Sequence, residues 1–528
     1  MTAFGLNTRQ LIVAAGVLLF ALVIQTSRIN RPFVGHFASY QGTVMASIAR
    51  NMVRENFSEI FLPKTDALIF QSRRPLHLNQ YPLPSLLAAI GFKLFGGGLE
   101  FWGRFQAVIF NALTLFLVML IATRMFDRET GTIAAVIFGL SPYTLIYGQA
   151  FMSEAAGVFF LMTALVLIAR PGKSLSVWRV ALSGLLFSAS LVNRVHFVLF
   201  FPAYLYLLIT RQSNGRDAFW KGLLFAVSCF LLPALWYGFT FFATYFFDNI
   251  HTTLFMQMGS SGAVAYVAGI PYLVRVFEIV GFRILTPLLV PFFLLGFWRF
   301  PNNVTKVFLF FCLLGGFLIL ILFPEKVTAH DFYLYGVFPF AAIWTASVVA
   351  RVLSRFKNYK WRSLGIIIGV LFYVLLSIRL FANPLYATPA KEMQAVKIAK
   401  NIQPLLREAD ILIVGGRQSP VFNYYAEHPS WSMDANILGQ PMSGYLKSAF
   451  APSSYSLEAM RMKTALKDLR SWFEYLRDKG ATVIVFPDKK KLDSHYEFAN
   501  SLRESVQVLS SNSDSYFLAR IIQRRASS

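Results

Sequence analysis

Charge is scarce in this chain of 528 residues. Asp, Glu, Lys and Arg make up 14% of it, against about a quarter in ordinary globular proteins. Negative charge is scarcer still, with 26 Asp and Glu against 49 Lys and Arg. There are two cysteines, Cys229 and Cys312, both inside apolar runs. That excludes a disulfide framework and a CxxC metal site, and leaves the redox compartment open. The sequence contains no HExxH, no P-loop and no GxGxxG, since Gly415 and Gly416 stand alone in DILIVGG. The helical zinc-hydrolase motif and the two common nucleotide cradles are therefore excluded. It also lacks a repeat of fixed period and any low-complexity tract. What it has instead is apolar: 56% of residues are hydrophobic, 54 are Phe, and the mean hydropathy is +0.54. An ordinary soluble protein is excluded, and most of the chain is expected to lie in lipid. The net charge of +23 would point to nucleic acid in a soluble protein, whereas here it must first be mapped onto membrane topology.

Apolar runs long enough to cross about 30 Å of hydrocarbon need roughly 20 residues. Eleven candidates fall near 8–25, 104–124, 130–148, 154–170, 177–193, 195–210, 219–245, 283–299, 306–323, 333–352 and 363–382. The first has no small-residue cleavage site and runs into SRINRPF, so it reads as a retained anchor with a cytoplasmic N-terminus. Five short loops then carry fifteen basic residues on the cytoplasmic side: Arg124 and Arg128; Arg170, Lys173 and Arg179; Arg211, Arg216 and Lys221; Arg299 and Lys306; Arg351, Arg355, Lys357, Lys360 and Arg362. The opposite turn at 149–154 has none, and inverting the chain would put all fifteen on the wrong side. Eleven crossings place the C-terminal tail outside. The fold class read from the sequence is a polytopic α-helical membrane protein of about 11 spans, with 11–13 accommodated, followed by a C-terminal extracytoplasmic α/β domain. The boundaries are 1–382 for the membrane domain, with a long first outer loop at 26–103, and 383–528 for the tail.

In that first loop Val44, Ile48 and Met52 recur at helical spacing while Arg50, Arg54 and Glu55 point elsewhere, the pattern of a helix lying in the interface. YPLPSLLAAIGFKLF is short and headed by proline, as in a re-entrant or surface helix. Another amphipathic piece surrounds Arg275 and Glu278. In the tail, DILIVGG and ATVIVFP read as buried strands, LKDLRSWFEYLRDKG as an amphipathic helix closed by Gly480, and VQVLSS with SYFLARI as a terminal hairpin.

Nine carboxylates fall on the outer side of the membrane part: Glu55, Glu59, Asp66, Glu100, Glu154, Asp248, Glu278, Glu325 and Asp331. Glu154 stands out, because it sits in a tight turn between two spans, where a carboxylate is costly without a task or a partner; the bland alternative is an acid placed at a helix N-terminus. KVTAHDFYLY sets Lys326, His330, Asp331 and Tyr333 immediately before a span, where a cation and an imidazole could hold a lipid phosphate or simply meet headgroups. Arg73 and Arg74 in SRRPLHLNQYP, and Arg194 with His196 in VNRVHF, are the other outer cations, and Arg194 has almost no loop to occupy.

The order of motifs carries a resemblance: GHFASYQGTVMASIARNM, then HLNQYPLPSLLAAIGFKLFGGGLEFWGRFQAVIF, then YGQAFMSEAAGVFFL, then AHDFYLYGVFPFAA, then the outer tail. Over residues 1–381 this resembles the polyprenyl-phosphate-sugar-dependent glycosyltransferases of the GT-C fold, in the bacterial branch similar to protein O-mannosyltransferases and the lipid A aminoarabinose transferase. The resemblance implies transfer of a sugar, with inversion, from a polyprenyl-phosphate carrier to an acceptor on the outer face of the plasma membrane. The implied partners are that donor, membrane lipids and an unidentified acceptor, with no nucleic acid; the one implied cofactor is a divalent metal. This chain departs from the family where the first-loop Asp-Glu pair falls on Gln41 and Gly42, and where Glu-Lys before the first proline falls near Asn79 and Gln80. By resemblance His36 replaces the first acid and Arg73 or Arg74 the lysine. Glu154 matches the family's second acidic position, Arg104 its arginine at the start of the second span, and His330, Asp331 and Tyr333 its aromatic motif.

The mechanism needs a base for the acceptor proton and cations for the departing phosphate. The expected assignment is Glu154 with His36 on the acceptor side, and Arg73, Arg74, Arg194, Lys326, His330, Asp331 and Tyr333 on the substrate-binding side. Competing readings are an O-antigen-type ligase or polymerase using a diphosphate-linked glycan, a transporter or flippase, and a non-catalytic relative.

Overall fold

The computed structural model describes residues 8–35, 37–68, 74–169, 175–212, 214–246, 250–251, 269–298, 303–355, 359–386, 389–415, 420–433, 468–512 and 516–522. The chain divides into two compact units. The first comprises Met1–Asn30, Phe101–Gly238 and Met258–Ala387; the second comprises Arg31–Glu100, Phe239–Gln257 and Thr388–Ser528.

The first unit is helical because its sequence is apolar without strand-like alternation, and in lipid a helix satisfies its own backbone groups. Leu99–Met125, Gly215–Ala243 and Val304–Leu322 are long and apolar enough to cross a membrane, and the pair Ile270–Ile284 and Thr286–Trp298, bent by 104°, would make a fourth. Shorter apolar helices stand at six more of the eleven expected positions: Gln10–Thr26, Glu154–Ile168, Val177–Asn193, Val195–Ile209, Phe338–Ser354 and Ile368–Leu380. The expected span at 130–148 is two helices, Arg128–Leu140 and Pro142–Tyr147. Pro142 cannot donate to the preceding turn, so the first helix stops, and the Ser141 hydroxyl caps the second by accepting from the Tyr143 amide at 3.1 Å. Cys229 and Cys312 are both buried and unpaired.

The second unit is built on a mixed sheet. Two short parallel strands, β1 (Leu76–His77) and β2 (Ile250–His251), pair by themselves. The main sheet has the order β4-β3-β5-β7-β6, with β3 Leu412–Gly415, β4 Ser430–Met433, β5 Val483–Phe486, β6 Val506–Asn512 and β7 Tyr516–Ile521. β4, β3 and β5 run parallel, while β5, β7 and β6 are antiparallel. The two tail strands, the terminal hairpin and the helix Leu469–Asp478 stand where the sequence puts them, and Gly480 closes that helix at φ 101°. Trp431, Trp472, Phe473, Leu476, Ile484 and Phe498 form the core beneath the sheet.

Residues 31–100, most of the first long loop, belong to this second unit. Its helix Phe37–Arg54 differs from the interfacial helix expected: residues 42–52 are all buried, Arg50 included. The partners of Arg50 explain the difference, because a guanidinium can be buried where a carboxylate and a carbonyl receive it. Gly42 is required there, since a Cβ would lie 2.7 Å from the Phe33 ring. The loop also extends the sheet. The Leu68 amide donates to the Ser430 carbonyl at 2.9 Å and the Ser430 amide to the Asp66 carbonyl at 3.0 Å, so 66–68 lies along the edge strand β4.

Candidate active site

In the first unit the chain makes a tight turn after Pro142–Tyr147 and re-enters a helix at Glu154. Gly103 admits that turn, because a Cβ there would sit 2.1 Å from the Phe151 ring. Glu154 is 1% exposed. Its partner is Arg194, which ends the helix Val177–Asn193 in extended backbone and lays a guanidinium nitrogen against Glu154 Oε1. A Cβ at Gly157 would lie 3.1 Å from the Phe197 ring, just after Arg194, and in ordinary contact with the Asn193 and Arg194 side chains. Among the described residues no side chain other than Arg194 donates to the Glu154 carboxylate. A buried carboxylate in that condition costs free energy that its lone pairs would recover by meeting a donor from elsewhere.

The expected motif before the late span gathers beside it. The Arg194 guanidinium lies 5.3 Å from the centre of the Phe332 ring, a cation–π distance. Tyr333 lies 5.0 Å, ring to ring, from His196. The His196 ring is hydrogen-bonded to the Tyr333 backbone, and its Nε2 is buried with no partner among the described residues. His330 stacks on Phe332 at 5.5 Å. Lys326 is half-buried in the last turn of Pro324–Ala329, its carbonyl accepting from the His330 amide at 2.7 Å.

Asp331 is engaged on both oxygens, Oδ1 by the Tyr147 hydroxyl and Oδ2 by Arg283 Nη1 at 2.7 Å, while its backbone carbonyl accepts from the Tyr143 hydroxyl. It therefore ties three segments together rather than facing a ligand with a free lone pair. Arg283 also reaches Glu278, which Arg275 holds from the other side. Tyr143, Tyr147 and Arg283 escape a sequence reading, since they lie 188, 184 and 48 positions from Asp331.

The second unit holds a second buried ion pair. Asp66, 1% exposed, accepts from Arg50 Nη2 at 2.7 Å and Ser47 Oγ at 2.8 Å on one oxygen, and from Arg74 Nε at 2.6 Å and Asn51 Nδ2 at 3.3 Å on the other. Burial alone would raise its carboxyl, but the Arg50 and Arg74 guanidiniums hold it well below the usual carboxylate range. Arg50 donates in addition to the Tyr424 carbonyl at 2.7 Å. Arg74, expected on a phosphate, is thus bound to a carboxylate. Gln80, at the position of the family's lysine, is buried with its amide 3.7 Å from Met45 Sδ, and Arg104 donates to the Ile29 carbonyl at 2.8 Å in the first unit. His36 and Arg73 lie outside the described residues.

No three or more His, Cys, Asp or Glu side chains converge on a common point among the described residues, and Asp66, Asp331 and Glu278 already bind guanidiniums.

Comparison with known proteins bears on fold. Residues 75–237 match the family model described as dolichyl-phosphate-mannose-protein mannosyltransferase. No curated protein sequence matches the chain. Among solved structures, ArnT from Cupriavidus metallidurans bound to undecaprenyl phosphate is similar at TM-score 0.62 and 15% identity, covering 98% of both chains. The archaeal oligosaccharyltransferase AglB from Archaeoglobus fulgidus, in complex with an inhibitory peptide and a dolichol-phosphate, is similar at 0.52 and 11%, covering 97% of this chain and 74% of that one. The arabinofuranosyltransferase AftD from Mycobacteria is similar at 0.55 and 13%, covering 98% and 42%.

Proposed function

We propose, for a membrane protein that carries the GT-C fold, the activity of an inverting glycosyltransferase that moves a sugar from a polyprenyl monophosphate to an acceptor on the outer face of the plasma membrane. The observation that carries the chemistry is the Glu154 carboxylate, buried against Arg194 with no other side-chain donor among the described residues. The fold likeness supports the donor class, since one solved structure of this fold holds undecaprenyl phosphate and another a dolichol-phosphate.

In the reaction an acceptor hydroxyl oxygen attacks the anomeric carbon. The bond from that carbon to the phosphate oxygen breaks, its electron pair stays on the phosphate, and Glu154 takes the hydroxyl proton. Arg194 compensates the ionised carboxylate before the proton arrives, which keeps the base available in a buried place. Charge on the departing phosphate grows along the path, so cations held in place bind the transition state more strongly than the ground state. His36 remains a second candidate for the acceptor side, and Arg73, Lys326 and His330 for the phosphate side. The fifteen basic residues in the opposite loops support an outward tail.

Purified Glu154→Gln in nanodiscs is expected to lose transfer from a polyprenyl-phosphate sugar by about a hundredfold or more, in the range for a general base, and to melt earlier than wild type because the buried Arg194 charge loses its partner, while staying folded at the assay temperature. Full activity of this variant would remove Glu154 from the mechanism. Offering the wild type a polyprenyl diphosphate-linked glycan separates the ligase reading, which requires that donor to be used.

A further inference from the structure

In the second unit the helix Phe37–Arg54 stops at Arg54 without a glycine. The Phe57 amide donates to the Met52 carbonyl at 2.8 Å and the Asn56 amide to the Val53 carbonyl at 3.1 Å, the pairing of a Schellman ending. Asn56 and Phe57 adopt it at φ 48° and 61°, where glycine is the usual residue. Against Arg54 the helix Pro420–Ala426 ends in left-handed backbone too: Glu427 stands at φ 61°, its amide donating to the Asn423 carbonyl at 3.1 Å. Among the described residues four non-glycine residues have positive φ, the fourth being Thr286. Three of the four therefore gather at Arg54, and backbone strain gathers where function requires it.

Glu427 holds two guanidiniums at this corner. Its Oε2 accepts from Arg54 Nη2 at 3.0 Å, its backbone carbonyl from Arg54 Nη1 at 3.4 Å, and its Oε1 lies 3.7 Å from Arg50 Nη1. Arg50, Arg54 and Arg74 thus share two carboxylates, Asp66 and Glu427, which leaves one positive charge in excess. Asp66 is buried and already receives four side chains. Glu55 and Glu59, next along the chain, are bonded to Lys64. Burial, with Arg50 and Arg74 beside it, pulls the Arg54 guanidinium below its ordinary range, so Arg54 is a cation that another anion would relieve. The Arg54 and Glu427 side chains are 40% and 39% exposed, and a pair so open to water is held weakly. A glycine at 427 would take φ 61° freely; the chain places a carboxylate there instead.

We propose that Arg54 and Arg74, supported by Arg50, bind an anionic group, phosphate or carboxylate, on a glycan acceptor, and that Glu427 fills its place until the ligand arrives. Guanidiniums suit the paired oxygens of either group. Arg54 and Arg74 are the members of the cluster that reach water, whereas Arg50 is committed to Asp66 and the Tyr424 carbonyl. The surface that follows Arg54 is hydrophilic, with Asn56 and Ser58 exposed, which suits a sugar better than a hydrocarbon. The inference rests on the proposed transferase in calling the ligand the acceptor. It narrows the acceptor to one that attacks through a hydroxyl and is held by a separate negative charge.

The test is binding of glucose 6-phosphate, glucuronate and glucose to the full-length protein in nanodiscs of neutral lipid, followed by ligand-observed NMR. Wild type is expected to bind the two anionic sugars and not glucose. Arg54→Gln should weaken glucose 6-phosphate about tenfold, the loss of one charge-assisted contact. Glu427→Gln should tighten it severalfold, because the internal competitor is gone, and so should Glu427→Gly, whose backbone suits φ 61° should the glutamine variant fail to fold. Glucose binding as tightly as its phosphate, no effect of Arg54→Gln, or weakening by Glu427→Gly overturns the site. Inorganic phosphate binding as tightly as glucose 6-phosphate, or phosphatidic acid in the nanodisc competing at equal concentration, overturns the glycan occupant. A tenfold loss of polyprenyl-phosphate binding in Arg54→Gln would give the site to the donor and overturn its assignment to the acceptor. Binding with the expected signs but no sugar transfer would keep the site and reject the transferase reading; transfer without them would do the reverse.

Discussion

Asp66→Asn is the sharpest test of how the second unit is held together. The substitution keeps the shape of the side chain and removes its charge from a place 1% exposed. Breaking a buried ion pair from one side costs about 3–5 kcal/mol, because the remaining charge is left without compensation. Arg50 keeps the Tyr424 carbonyl at 2.7 Å and has Glu427 at 3.7 Å, and Arg74 is 31% exposed and can turn to water. The lower end applies, about 3 kcal/mol, or roughly a hundredfold in an opening equilibrium. The place to read it is the loop edge on β4, where the Leu68 and Ser430 amides are bonded across to Ser430 and Asp66. Amide hydrogen exchange there should accelerate about a hundredfold in Asp66→Asn. Arg74→Gln should change it by less than about fivefold, as befits a partly solvated partner. Exchange in Asp66→Asn within about threefold of wild type would refute the argument that this buried pair fixes the loop against the sheet.

Two further outcomes follow from the same geometry. Gly103→Ala puts a Cβ 2.1 Å from the Phe151 ring and should displace the turn before Glu154; transfer should fall about tenfold or more while the helical circular dichroism is kept, whereas unchanged turnover would mean the turn does not position Glu154. Burial would raise the carboxyls of Asp66 and Asp410, yet both are held below their ordinary range, Asp66 by Arg50 and Arg74 and Asp410 chiefly by Arg520. A carboxyl lower in the folded than in the unfolded state contributes stability that is present above about pH 4 and is lost as pH falls through the folded value. The emission of Trp431 and Trp472, buried beneath the sheet, should therefore hold from about pH 8 to 5 and shift below about pH 4; a midpoint near about pH 6 would point to a histidine instead.

What the sequence discloses and what it withholds divide along a physical line. Apolar length and strand-like runs are properties of contiguous residues, so the helices of the first unit and strands β3, β5, β6 and β7 can be read directly. Strand β4 could not, because Ser430–Met433 alternates polar and apolar over too short a stretch to stand out. Arg50 lies on the polar side of a helix by periodicity, and only the loop returning at Asp66 buries it. Glu278 and Arg283 look unrelated under α-helical spacing and meet because the helix widens. Glu154, Arg194, His330, Asp331 and Tyr333 were nameable singly; that Asp331 serves Tyr147 and Arg283 depends on packing between distant segments.

The same contacts narrow the choice of base among Glu55, Glu59, Asp66, Glu154, Glu278 and Asp331. A general base must present a lone pair to the acceptor hydroxyl at hydrogen-bonding distance. Asp66 receives donors on both oxygens from four side chains. Asp331 is covered by Tyr147 on one oxygen and Arg283 on the other. Glu278 is covered by two arginines, and Glu55 and Glu59 share Lys64. Glu154 differs in kind. It is as buried as Asp66, and one guanidinium is its sole side-chain donor among the described residues. Arrangements of that sort are destabilising in isolation and are retained where an incoming group completes them. With Gln41 unable to take a proton at the loop position, the proposed transfer chemistry falls to the carboxylate at the start of the helix Glu154–Ile168, and the neutral Glu154→Gln variant removes the lone-pair basicity while leaving the shape of the site in place.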